Sequence, residues 1–190
     1  LLHIRFFYGL AFATFQGVFS LYAQSIGLTS QTTGYVLAYV GLISVITQAG
    51  LIGMLTRRFR ENWLIVTGLW VMAGALFAWA FTDRLWLLLV VILPLGLSGG
   101  VLNTVLQSAI SKSVSRDEIG GTLGIAGSLE AITRVIAPTL GGLLIQQVGR
   151  WAPGIFSALL MAWVITFMYR RVVLPAHRDR IAPEQEAARA

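Results

Sequence analysis

The chain contains no cysteine, and few of its side chains carry a charge. The lack of cysteine excludes a disulfide framework and any metal site built on thiolates. Charged residues make up 12% of the chain, whereas water-soluble domains usually carry about 25%. Clustered histidines and acids that could bind a metal are missing, as is the Gly-x-x-x-x-Gly-Lys loop that binds nucleotide phosphates. We therefore expect the protein to bind no metal and no cofactor and to have no enzymatic activity.

Apolar residues are abundant instead, at 56% of the chain, and they occur in long uncharged runs. From Phe6 to Thr56 no side chain carries a formal charge, and residues 85–111 are uncharged too. Apolar runs of about 18 or more residues are typical of transmembrane helices. Hydrocarbon offers no hydrogen-bond partner to the main chain, so such runs are expected to be helical. The sequence predicts an all-α integral membrane protein in a lipid bilayer.

Charged and turn-rich segments, such as TRRFREN, TDR and SKSVSRDE, divide residues 1–174 into six predicted membrane spans. The residues 175–190 are polar and are predicted to form a disordered cytoplasmic tail. The spans are predicted at about 4–24, 31–55, 63–81, 85–111, 116–148 and 152–173.

The positions of lysine and arginine predict the orientation of the spans. Of the 14 basic residues, Arg134 lies inside a span and only Arg84 and Arg150 lie on one side. Lysine and arginine collect on the cytoplasmic side of membrane proteins, which predicts that both ends of this segment are cytoplasmic. The net charge of +6 is then a signal of topology, and no nucleic-acid partner is expected. The basic residues assigned to the cytoplasmic side are Arg5, Arg57, Arg58, Arg60, Lys112, Arg116, Arg170, Arg171, Arg178, Arg180 and Arg189.

Polar residues recur in the first and fourth spans, whereas the third and sixth spans are almost wholly apolar. This pattern predicts two inverted three-helix repeats, an arrangement known from transporters. Polar groups within a membrane must face protein or water, so the two polar spans could line a shared aqueous cavity. Hydrogen bonding between helices, without any cavity, is the alternative. Candidate cavity residues that could contact a substrate are Tyr8, Phe12, Gln16, Ser20, Asn103 and Gln107.

Glu130 and Arg134 are the only charged residues between Glu118 and Arg150. Their i, i+4 spacing, with the acid first, favours a pair within one helix. A bare charge at the bilayer midplane costs about 2.5–3.5 kcal/mol on insertion scales, so the pair should face protein or a wet cavity. It could be a structural pair that fixes helix packing. Alternatively, protonation of Glu130 could free Arg134 to bind an anion or to repack, which would couple the pair to protons.

The stretch Gly96-Leu97-Ser98-Gly99 in the fourth span matches the Gly-x-Ser-Gly pattern of rhomboid intramembrane proteases, which are six-helix serine enzymes. Their serine needs a histidine base within the membrane. The two histidines of this chain, His3 and His177, lie outside the predicted spans. Packing of small residues is the better interpretation of this stretch.

Three stretches carry a resemblance to a known family. They are SIGLTSQTTGYVLAYVG (25–41), QAGLIGMLTRRFRENWLIVTG (48–68) and DEIGGTLGIAGSLEAITRVIAPTLGG (117–142). Their order and spacing resemble the C-terminal six-helix half of a major facilitator superfamily transporter, most of all the drug:proton antiporters of the tetracycline-efflux type. Arg60 and Ala137 stand where that family usually has glycine, which weakens any argument for a gating latch in the loop.

The resemblance implies secondary transport, with proton-coupled efflux of a small, partly hydrophobic compound. It also implies a bacterial inner (plasma) membrane and a missing N-terminal six-helix half, and the start at Leu1 is interpreted as a cut. Arg57, Arg58 and Arg60 are expected to anchor the cytoplasmic loop, with a gating contact as the second interpretation. A non-transporting membrane scaffold or receptor module is the alternative function.

Overall fold

A computed structural model describes residues 2–170, and within that range every regular element is helical. The predicted tail, 175–190, lies outside the described residues. We number the six long helices α1 to α6, counting the segment around an internal π turn at Thr47–Leu51 as one helix. They are α1 (Leu2–Ser25), α2 (Ser30–Arg58), α3 (Glu61–Trp79), α4 (Leu85–Lys112), α5 (Ile119–Gln147) and α6 (Ala152–Met168).

Tight turns join the helices at two glycines with a positive φ. Gly27, at φ +81°, turns the chain between α1 and α2, and Gly149, at φ +137°, turns it between α5 and α6. Glycine adopts this region without the steric cost that a Cβ imposes. Thr29 then caps α2, because its hydroxyl oxygen accepts a hydrogen bond of 3.2 Å from the main-chain N–H of Thr32. Local residue types therefore set where these helices end and begin.

The packing of the six helices has a twofold pattern. The most extensive contacts are α1 with α5, α3 with α4, α3 with α6, α1 with α6, and α2 with α4. Exchanging the first three helices for the last three converts α1–α5 into α2–α4 and α3–α4 into α1–α6, and it leaves α3–α6 unchanged. Three successive membrane crossings reverse the chain direction, so equivalent helices of the two triplets run in opposite senses. The arrangement has the pairing expected of two inverted three-helix repeats.

The apolar core lies among α1, α3, α4 and α6. Its largest fully buried side chain is Trp79. The Trp79 ring packs edge-on against Phe15 and at a tilt against Tyr22, with 4.9 Å and 4.7 Å between ring centroids. By contrast, only 28% of the most apolar 18-residue stretch of α2 and 17% of that of α5 is buried, against 56% for α1 and for α4. One side of the bundle, formed by α2 and α5, is therefore left open and apolar.

Small residues allow α1 and α5 to approach closely. A Cβ added to Gly17 would lie 2.9 Å from Cγ and 3.1 Å from Cα of Pro138. The first half of α5 differs, because a Cβ added at Gly121 or Gly127 would meet no atom of another helix within 4 Å. Tight backbone approach is confined to the second half of α5, where it brings α5 against α1.

This close approach predicts opposite effects of one substitution at two glycines. In the intact protein, Gly17→Ala should lower the free energy of unfolding by about 1–3 kcal/mol, because the added methyl group overpacks the contact with Pro138. Gly74→Ala on α3 is the control, since its Cβ would meet open space, and it should be neutral or gain up to about 1 kcal/mol from helix propensity. Thermal unfolding followed by tryptophan fluorescence measures both. Equal effects at the two sites would contradict the packing.

Candidate functional site

Arg5 joins three helices through its guanidinium. On α4, Nη1 donates to the main-chain oxygen of Asn103 at 3.1 Å and to its side-chain Oδ1 at 2.7 Å. On α5, Nη2 donates to Oε2 of Glu130 at 2.8 Å. The Arg5 side chain is 9% exposed, so these partners replace nearly all of its contact with solvent. A buried charge needs such pairing to offset the loss of its hydration.

Glu130 is held by two arginines at once. Oε1 of Glu130 accepts a hydrogen bond of 2.7 Å from Nη2 of Arg134, which is the predicted i, i+4 pair. The other oxygen, Oε2, accepts the hydrogen bond from Arg5. The Glu130 side chain is 31% exposed and that of Arg134 is 73% exposed, so the pair lies at the open side of the bundle. A single carboxylate therefore balances one buried and one exposed guanidinium.

The sequence assigned Arg5 to the basic residues of the cytoplasmic side, whereas the structure buries its side chain between α1, α4 and α5. Its partner Asn103 lies about 14 Å, at 1.5 Å per residue, from the Lys112 end of α4. Sequence reasoning missed Arg5 because it stands next to the start of the chain, where a basic residue is typical of a loop. Only the packing of α1 against α4 and α5 shows that its charge lies beside Glu130.

A cavity of about 220 Å³ adjoins this cluster. Four of the six residues predicted to contact a substrate line it, namely Tyr8, Phe12, Gln16 and Asn103. Arg5, Glu130 and Arg134 line the same space. These four predicted cavity residues and the predicted ion pair are thus parts of one site, to which α1, α4 and α5 contribute. Ser20 and Gln107 do not line this cavity.

Two glycines on α4 let side chains of α1 and α2 pack closely against one wall of the cavity. A Cβ on Gly99 would come within 3.1 Å of the Phe12 ring, and a Cβ on Gly100 within 3.0 Å of Cγ2 of Thr47. The Gly99 carbonyl also accepts a hydrogen bond of 2.9 Å from the hydroxyl of Tyr8. This bond fixes the Tyr8 ring, which stacks at 6.1 Å on the ring of Phe12.

Helix α2 contributes two cavity residues that sequence reasoning missed, Ser44 and Gln48. Gln48 lies in the π turn Thr47–Leu51, where the extra residue per turn changes the direction of the side chains. Such turns often occur at functional sites. Helical spacing applied to the sequence assumes an unbroken α-helix, so it could not place Gln48 on the cavity wall.

A second, smaller space of about 90 Å³ lies beside the first. Gln107 lines it, together with Ile110 and residues of the first half of α5. Arg5 and Glu130 also line it. The structure therefore separates Gln107 from the other predicted substrate contacts, and Ser20 lines neither of these two spaces.

The arginines Arg57, Arg58 and Arg60 are exposed, at the end of α2 and in the short connection to α3. Within residues 2–170 none of them forms an ion pair. Instead, the acid that follows them, Glu61, pairs with Lys112 and accepts a hydrogen bond of 3.2 Å from Ser108. Glu61 thus links α3 to α4 at this end. Among the described residues the structure gives no partner for a gating contact by the three arginines.

The Gly-x-Ser-Gly stretch has no catalytic geometry. The Ser98 hydroxyl is buried and donates to the Leu95 carbonyl at 3.1 Å, with the sulfur of Met72 at 3.7 Å. His3, the one histidine of the described range, stacks on Phe167 with 5.9 Å between ring centroids. Among residues 2–170 no base reaches the serine, so small-residue packing accounts for the stretch.

Comparison with known proteins identifies the fold. A structure of the human organic anion transporter MFSD10 (TETRAN) superposes with a TM-score of 0.78 at 19% identity, covering 87% of this chain and 39% of that one. The predicted fold class, an all-α bundle that forms half of a major facilitator fold, is confirmed by this match. At this identity the likeness concerns the fold alone.

Relatives by sequence point the same way. The chain is 29% identical over 156 residues to human solute carrier family 67 member A1, covering 81% of this chain and 36% of that protein. It is 28% identical over 145 residues to the class C tetracycline resistance protein of Escherichia coli, covering 76% of this chain and 35% of that protein. The chain thus spans a little over a third of the length of the curated relatives it matches. These relatives are carriers and resistance proteins, which points to a transporter and not an enzyme.

The family model of the Major Facilitator Superfamily matches residues 1–190, the whole of the sequence. Taken with the six helices, their twofold packing and the polar cavity between α1, α2, α4 and α5, this match shows that the chain belongs to the major facilitator superfamily of membrane transporters.

Proposed function

We propose that this segment is the C-terminal half of a secondary transporter that exports a small, partly hydrophobic compound in exchange for protons. The observation that carries the proposal is the Arg5–Glu130–Arg134 cluster on the wall of the larger cavity. An ionisable group inside a membrane bundle is costly, and such groups mark substrate or proton pathways. The drug-resistance names of several relatives favour efflux as the direction.

The open side of the bundle supports a partner half. Helices α2 and α5 expose apolar side chains that include Val45, Ile46, Ile132 and Val135. In the proposal, a preceding six-helix half covers this side and closes the cavity. Rocking of the two halves would then expose the cavity to each side of the membrane in turn, the mechanism of alternating access.

The cavity chemistry suits a solute with both apolar and polar parts. The stacked rings of Tyr8 and Phe12 offer an aromatic surface, and the amides of Gln16 and Gln48 offer hydrogen bonds from two other directions. Most ligand sites combine an apolar lining with a few polar groups of this kind. A cavity of about 220 Å³ in this half would be enlarged by the facing half.

Glu130 is the proposed proton carrier, because it is the one acid that lines the cavity among the described residues. As a carboxylate it attracts both Arg5 and Arg134. Protonation removes the negative charge and leaves two guanidiniums close together without their counter-ion. Their repulsion would favour a different packing of α1 against α5, which links proton binding to the conformational change.

The proposed location is a bacterial inner membrane, with both ends of the segment in the cytoplasm. In this orientation the short connection around Arg57, Arg58 and Arg60 is cytoplasmic, and the ion pair of Arg150 with Asp83, at 2.6 Å, lies on the opposite side. A membrane scaffold or receptor module is the alternative function. The polar cavity argues against it, since a scaffold requires only packed helices.

Removal of the Glu130 charge tests the proton-carrier proposal. In the intact transporter, Glu130→Gln should abolish the dependence of transport on pH, because the amide cannot exchange a proton. Glu118→Gln, at an exposed acid before α5, is the matched control and should keep the normal pH profile. Uptake into inverted vesicles over a pH series measures both. An unchanged pH profile in Glu130→Gln would sink the proposal.

Labelling with a water-soluble thiol reagent separates a transporter from a dry scaffold. Single cysteines at Gln16 and Asn103, introduced into the intact protein after any other cysteines have been replaced, should both react because they line an aqueous cavity. A cysteine at Leu69, which is fully buried in the core, should stay unlabelled. Protection of both cavity positions would favour the scaffold.

A further inference from the structure

The ion pair of Arg5 with Glu130 forms a wall shared by two spaces. Both residues line the cavity of about 220 Å³ and also the space of about 90 Å³. The larger cavity extends from the pair towards Gln16 and Gln48, whereas the smaller one extends towards Gln107. The carboxylate of Glu130 can thus be approached from two sides, and only one side is lined by the residues proposed to bind the solute.

The smaller space lies towards the end of the bundle at which α4 ends and α5 begins. Its lining includes Gln107 and Ile110 on α4, close to the Lys112 end of that helix, and Leu123 on α5, close to its Ile119 start. That end carries most of the basic residues and is cytoplasmic in the proposed orientation. A volume of about 90 Å³ is room for a few water molecules, since each water occupies about 30 Å³ in the liquid.

Water needs polar partners to occupy such a space, typically two to four of them. Arg5, Gln107 and Glu130 supply them. The remaining lining is made of small or aliphatic residues, which shape the space without competing for hydrogen bonds. The lining is therefore suited to a short file of water molecules that ends on the Glu130 carboxylate.

We propose that the space lined by Gln107 is the route by which Glu130 exchanges protons with the side of the membrane at which α4 ends, separate from the solute cavity. The inference rests on the proposed role of Glu130 as proton carrier. A proton arrives as hydronium in this space and passes to a Glu130 oxygen, which leaves water behind, and release is the reverse step. A solute in the larger cavity would not block this exchange.

Arg5 is the positioning residue of the route. Its bonds to Asn103 on α4 hold the guanidinium in place, and its bond to Oε2 fixes the Glu130 carboxylate at the boundary of the two spaces. The other ionisable groups near Glu130 are Tyr8 on α1 and Arg134 on α5. The nearby residues of α4, Asn103 and Gln107, are uncharged, and α6 has no ionisable side chain between Ala152 and Met168. Glu130 is the one acid among these groups.

A crossed pair of substitutions in the intact transporter tests the route. The readout is the rate at which Glu130 takes up a proton after a rapid pH drop, followed by its carboxyl infrared band, which Glu130→Gln identifies by removing it. Gln107→Leu should slow this uptake by about tenfold, one decade in rate, and should leave solute affinity unchanged. Gln16→Leu in the larger cavity should weaken solute binding and leave proton uptake unchanged. Binding is measured with tetracycline as the probe solute, or with ethidium where tetracycline does not bind.

A second pair of variants changes space instead of polarity. Gly127 lines the smaller space, and a Cβ added there would meet no atom of another helix within 4 Å, so Gly127→Leu should fill the space and also slow proton uptake. Gly121→Leu, on another face of α5 and equally open, is the matched control and should leave the rate unchanged.

Normal proton uptake in both Gln107→Leu and Gly127→Leu would overturn the route and leave Glu130 as a carrier reached from the solute cavity. Slow uptake in Gln16→Leu would overturn it as well. An infrared band that shows no protonation of Glu130 in the unmodified transporter would instead refute the proposed function itself, so the two failures are distinguishable.

Discussion

The charge of Glu130 is the constraint on which the rest of this bundle depends. A carboxylate inside a membrane protein is stable only where fixed positive groups replace its hydration. Here Arg5 comes from another helix and Arg134 from the same helix, so one oxygen holds α1 to α5 and the other stays within α5. Because Arg5 also bonds to Asn103, the same charge ties α4 to the other two helices. A change at one carboxyl group therefore acts on the packing of three helices.

Close helix packing makes this arrangement possible. Helices α1 and α5 pack closely where Gly9 faces Thr133 and where Gly17 meets Pro138, and Arg5 reaches Glu130 across the same pair of helices. On α4, Gly99 and Gly100 allow Phe12 and Thr47 to come near, which brings α1 and α2 to the edge of the cavity. In a membrane, such van der Waals contact replaces the hydrophobic effect as the main cause of helix association. The glycines thus determine where the polar site can form.

The same bundle has a packed side and an open side, and the difference matches the proposed function. Trp79 and its aromatic neighbours Phe15 and Tyr22 pack α3 tightly against α1 in the buried core. The side of α2 and α5 keeps the cavity, the exposed Arg134 and the π turn. A transporter half requires this asymmetry, because one face must support the helices while the other meets the solute and the opposite half. In the proposal, the two spaces on either side of the Arg5–Glu130 pair extend the same division to the proton and the solute.

Much of this protein follows from its sequence. The long uncharged runs predicted six membrane helices because hydrocarbon tolerates few charges, and the family resemblance of three stretches agreed with the major facilitator match. The i, i+4 spacing of Glu130 and Arg134 predicted their pair, since neighbours on one helix are set by local geometry. Gln16 and Asn103 were predicted in one cavity because polar groups in a membrane must face inward.

Only the tertiary structure decided the contacts between helices that are distant in sequence. Helix packing brings Arg5 beside Glu130, which lies 125 residues away along the chain. The π turn directs Gln48 to the cavity, and Gln107 lines a separate space. Residue spacing along one helix carries no information on how far a second helix is rotated or shifted against it. Side-chain packing sets that rotation and shift, and they decide which charged residues meet.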